Sequence, residues 1–113
     1  MLSKIHTIAA WTGLVLGLVH TGLALTAPFS QQVLWFAGSG LAIIFAALSN
    51  LFRSPNGSAW ARASLAFQNL VLTLFFAAAW LVLPQPQVVI GGIVFAGMLL
   101  LELAGLLRFS RKA

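Results

Sequence analysis

Apolar residues dominate this chain in four long runs, at residues 5–27, 33–52, 63–83 and 88–107, and polar residues collect in the short breaks between them. Each run has about the 20 residues that a helix needs to cross the hydrocarbon core of a bilayer. The first, IHTIAAWTGLVLGLVHTGLALTA, contains no charged residue. The pattern therefore predicts an all-α integral membrane protein, a four-transmembrane-helix bundle in a single membrane domain over residues 1–113.

The breaks carry turn chemistry. Pro28 closes the first run and PFSQQ forms a short turn; PQPQ, with Pro84 and Pro86, closes the third. Proline cannot continue a helix without loss of a hydrogen bond and a clash, so these boundaries are firm in the sequence. Residues 53–62, RSPNGSAWAR, hold a Pro-Asn-Gly turn signal. Trp35, Phe36 and Trp80 stand at one set of run ends and Trp60 at the other, where aromatic belts meet the interface. The first run exceeds a signal peptide's apolar region of about 7–15 residues, and Leu25 spoils a cut after Ala27, so it is expected to be a retained span. LWFAG (34–38) and IVFAG (93–97) are too short and too common in type to establish a repeat.

Within the first run the small and polar positions share a face. At about 100° per residue with Gly13 as zero, His6 falls near +20°, His20 near −20°, Ala9 near −40° and Gly17 near +40°. Trp11, Leu14, Val15, Leu18 and Val19 lie opposite and suit lipid tails. Small residues let helix backbones approach where no hydrophobic force between helices exists, so Ala9, Gly13 and Gly17 are the expected helix-packing positions.

Composition narrows the class further. The chain is 61% hydrophobic and only 6% charged, with a mean hydropathy of +1.04, against about 25% charged residues in soluble domains. There is room in 113 residues for four spans and little else. The net charge of +5 comes from Lys4, Arg53, Arg62, Arg108, Arg111 and Lys112 against Glu102 alone. With four crossings all six cations fall on one side, which predicts cytoplasmic termini and a cytoplasmic middle loop, as in a bacterial inner-membrane protein. These cations read as topology anchors, and no nucleic-acid partner is expected. No cysteine is present, so disulfides and thiolate sites are excluded.

The candidate chemistry is a polar layer at similar depth in all four spans: His6, Ser49 and Asn50, Gln68 and Asn69, and Glu102. An ionisable residue inside a span marks a functional site by default. His6, Asn50, Gln68, Asn69 and Arg108 are the expected partners of Glu102. His20 lies about 21 Å from His6 along the helix and is expected to bond a carbonyl or a threonine on a neighbouring helix. One Glu and no Asp leave no carboxylate pair for hydrolysis, no Gly-rich loop follows a strand, and two histidines so far apart cannot share a metal. No enzymatic activity is expected.

Two resemblances bear on function. Two histidines fourteen positions apart on one face, with glycine between them, resemble the helix of a dihaem b-type cytochrome, whose two haems are held at that separation. The resemblance implies His6 and His20 as haem b ligands, with a parallel homodimer supplying the other two. In length and helix count the chain is also similar to the small multidrug resistance transporters. It departs from them in carrying its Glu in the fourth span rather than the first and in its strong charge bias, so none of that family's residues is carried over.

The leading expectation is an accessory or interaction subunit that packs, through faces such as Ala9, Gly13 and Gly17, against other membrane subunits or itself, in contact with membrane lipid. The alternatives are a small oligomeric ion- or proton-coupled transporter using Glu102, and the homodimeric haem protein.

Overall fold

The structure, a computed structural model, describes residues 1–112; Ala113, the last residue of the expected domain, lies outside the described residues. Four α-helices make up the fold: α1 Leu2–Ala24, α2 Gln31–Leu51, α3 Ala59–Val82 and α4 Pro86–Lys112. All four are long and apolar enough to cross a membrane. The chain is thus an all-helical four-helix bundle of the multi-pass membrane type, with no strand among the described residues.

The helices differ from the sequence expectation at their ends, and each shift has a local cause. Ser58 caps α3, its Oγ accepting from the Ala61 amide at 3.2 Å. The helix therefore starts at Ala59 and includes Trp60 and Arg62, which the sequence placed in the loop. Pro86 opens α4 instead of prolonging the turn before it, because the first helical position has no use for an amide hydrogen. At its other end α4 passes the expected stop at Leu107 and runs on to Lys112. Arg111 and Lys112 in that last turn favour the negative end of the helix dipole. The 53–58 loop shrinks to a turn closed by the Gly57 amide on the Ser54 carbonyl at 3.1 Å.

Packing is uneven around the bundle. Helices α1 and α2 form one tight hairpin and α3 and α4 another; the hairpins meet along α1 and α4, while α2 and α3 scarcely touch. Phe95, Met98, Ala10, Ala47 and Ile43 form the centre, each at most 2% exposed. The outer surface carries Trp11, Leu18, Phe45, Phe67, Ile93 and Leu100, all more than half exposed. Apolar coverage this continuous would be an aggregation hazard in water and is what acyl chains require.

The buried face of α1 is His6, Ala10, Gly13, Gly17 and Ala24. It is centred near +25° on the scale used above, which puts Ala10 inside and Ala9 and His20 at its edge. Ala10 is 0% exposed, whereas Ala9 is only partly buried against the core. A Cβ on Gly13 would rest 3.5 Å from Ala47 and Phe95, and one on Gly17 would come within 2.8 Å of the Ile44 side chain. The small-residue face of α1 is therefore occupied by the protein's own α2 and α4.

Candidate functional site

The expected polar layer is a connected network at the end of the bundle that holds the chain's amino terminus, the 53–58 loop and the basic tail. His6 lies in the opening turns of α1 and Asn50 in the last turn of α2. Asn69 and Glu102 complete the layer from α3 and α4. All four side chains are at most 1% exposed.

The hydrogen bonds fix the orientation of each group. Asn50 Nδ2 donates to the Ala46 carbonyl and to Asn69 Oδ1, both at 2.8 Å, and Asn69 Nδ2 returns a bond to Asn50 Oδ1 at 2.9 Å. A carbonyl only accepts, so the Asn50 nitrogen must face Ala46 and its oxygen must face His6. His6 Nε2, at 2.9 Å from that oxygen, consequently donates the hydrogen. In the neutral ring this leaves Nδ1 as an acceptor. It forms no hydrogen bond and faces Glu102 Oε1 at 3.8 Å. Gln68 stands beside this network, donating to the Ala46 carbonyl at 3.3 Å.

Glu102 is held mainly by arginine. Arg53 Nη1 donates to Oε1 at 3.0 Å, and Arg62 Nε lies 3.8 Å from Oε2. Of the expected partners, His6 faces Glu102, whereas among the described residues Asn50, Gln68, Asn69 and Arg108 make no bond to it; Arg53 and Arg62 supply the other ion pairs. The two arginines read as membrane-edge anchors turn inward, to 22% and 17% exposure. Two features make this possible. The Ser58 cap draws Arg62 into the first turn of α3. Gly105, one turn beyond Glu102 on α4, lacks the side chain that would collide with the Arg62 guanidinium. A glycine one turn from a lone buried acid was the signal available in the sequence.

The site opens into a cleft of about 390 Å³ between the poorly joined α2 and α3. Arg53, Arg62 and Glu102 line it together with Ser49, Ser64 and Gln68, and Phe52 and Leu65 supply apolar wall. Towards α1 and α4 the same two arginines line a smaller cavity of about 140 Å³ with Arg108 and Gly105.

His20 stands apart from this cluster. Its ring stacks on Phe36 at 3.7 Å and 18°, and Nε2 lies 3.3 Å from Ser39 Oγ. Besides this serine of α2, the ring meets the Phe36 backbone, a carbonyl partner of the expected kind. In this packing His6 is not free to ligate haem b. It is enclosed with its nitrogens turned to Asn50 and Glu102, whereas Phe36 lies on the face of the His20 ring and leaves its in-plane Nε2 beside Ser39 Oγ. No protein family, curated protein or solved structure matches the chain.

Proposed function

We propose that the protein is a small oligomeric carrier of a bacterial inner membrane, ion- or proton-coupled, with Glu102 as its ionisable centre and both termini in the cytoplasm. The orientation rests on charge: Lys4, Arg53, Arg62, Arg108, Arg111 and Lys112 gather at one end of the bundle, and the opposite turns carry none.

One observation carries the carrier reading. His6 Nδ1 and Glu102 Oε1 face each other at 3.8 Å, both as acceptors; Glu102 lines the cleft and His6 is buried behind it. A proton taken up by either atom turns two opposed acceptors into a donor and an acceptor, and so binds and is released with a change in local contacts. The cations facing the pair are Arg53 from the end of α2 and Arg62 from α3, with Arg108 of α4 across the smaller cavity; Lys4 lies on the outer side of α1.

The test is transport in liposomes containing the purified protein and an internal pH dye. The wild type is expected to show pH-dependent flux and Glu102→Gln none. A mutant that transports normally, or a wild type with no flux, refutes the reading.

An accessory-subunit role is the second reading. The small face of α1 no longer supports it, being used internally, but the open seam between α2 and α3 does, since a partner's helix could close it. Extraction in mild detergent should then bring down a second membrane protein in fixed ratio, and a lone monomer would end the idea.

A further inference from the structure

We propose that the cleft between α2 and α3 binds an anionic amphiphile, with its phosphate headgroup on Arg53 and Arg62 and its acyl chain leaving sideways through the open seam. The inference rests on the carrier reading for its purpose, as the class of substrate, while binding itself can be tested alone.

Charge gives the first argument. Two guanidinium groups share the cleft with one carboxylate, so the site keeps one unit of positive charge after Glu102 is counted. Arginine presents its donors in a planar fork that suits phosphate oxygens, and Arg53 and Arg62 both retain exposed surface. Ser64 and the second amide hydrogen of Gln68 add neutral donors around the same space.

Shape gives the second. A volume of about 390 Å³ lies at the lower end of ordinary ligand pockets, enough for a headgroup and the first carbons of its chain. The wall is amphiphilic, with Phe52 and Leu65 beside the arginines. Helices α2 and α3 pack loosely, tied by the Asn50–Asn69 and Gln68–Ala46 bonds, so the seam beside those bonds is the acyl chain's way out. Basic pockets between helices on the cytoplasmic side are where anionic headgroups bind.

Glu102 then has a defined part. It is the internal anion that occupies the arginines in the ligand's absence, and a bound phosphate competes with it for Arg53. Neutralising Glu102 should strengthen anion binding even as it abolishes coupled flux.

The experiment is equilibrium binding of radiolabelled oleoyl lysophosphatidic acid to the full chain in maltoside detergent, with competition by zwitterionic lysophosphatidylcholine and by inorganic phosphate. Saturable binding is expected, with the zwitterionic lipid weaker by about tenfold or more. Glu102→Gln should bind several-fold tighter. The triple variant R53Q/R62Q/E102Q, which leaves no buried charge unpaired, should bind both lipids equally weakly. Equal affinity of the wild type for the two lipids, wild-type binding by the triple variant, or weaker binding by Glu102→Gln overturns the proposal. Inorganic phosphate displacing the lipid at equal concentration overturns the lipid assignment and leaves a water-soluble phosphate as ligand. Tighter lipid binding by Glu102→Gln with no flux in the wild type would sink the carrier reading alone.

Discussion

The two ends of this bundle are built from the same four helices by opposite means. At the end with Glu102, helices are joined by directed bonds: His6 to Asn50, Asn50 to Asn69, and Arg53 and Arg62 to the carboxylate. In the other half, apart from the His20–Ser39 contact, surfaces meet by close approach. Gly17 lies under Ile44, Gly40 leaves no room beside Thr21, and Gly91 lies against Phe76, which stacks on Phe95 at 5.9 Å. Lipid supplies no hydrophobic force between helices, so contact area and hydrogen bonds are the two means available. Contact area seals the interface, whereas long polar side chains hold helices apart and leave space between them. The cleft therefore lies at the bonded end.

Substitutions can sharpen or break this contrast. The largest effect is expected from Glu102→Leu, which strands Arg53 and Arg62 beside an apolar side chain. Breaking a buried ion pair by removing one partner costs about 3–5 kcal/mol. Reversible unfolding in mixed micelles with increasing dodecyl sulfate, followed by circular dichroism, would measure it. A loss under about 1 kcal/mol would mean that the arginines do not depend on the carboxylate.

Next comes Gly17→Val at the packed end. Its Cβ would meet not only the Ile44 side chain but the Ile44 backbone nitrogen at 3.0 Å, so α1 and α2 must separate. Overpacking of this sort costs about 1–3 kcal/mol. The same unfolding titration applies, and tolerance of valine would show that close approach is not what joins the hairpin.

The smallest effect is expected from Gly22→Ala, where nothing lies within 4 Å of an added Cβ. Alanine is the better helix former by about 0.8–1.0 kcal/mol, so the variant should be neutral or slightly more stable. Destabilisation there would mean that the open face of α1 is covered by another chain.

The sequence made some of this legible for a physical reason. Crossing a bilayer demands long uncharged runs, so the number of helices and the depth at which His6, Asn50, Asn69 and Glu102 lie could be read from counting. Rotation about a helix axis is a finer quantity. Ala9 and Ala10 are equally small, and only the fit against α2 and α4 decides that Ala10 is the one enclosed. The arginines were harder still. A basic residue at a membrane edge can reach outward to water or inward to a partner, and the choice for Arg62 depends on a serine cap and a glycine on another helix.

The weak seam between α2 and α3 gives the molecule the form of a book bound along α1 and α4. Anything that parts its covers must stretch the Asn50–Asn69 bonds and, beside the turn that ties one cover to the other, the link from Arg53 to the acid on the far page. One tie across the mouth therefore ends on the chain's single acid, so a change of charge at Glu102 would slacken that tie while the asparagine pair still held the covers.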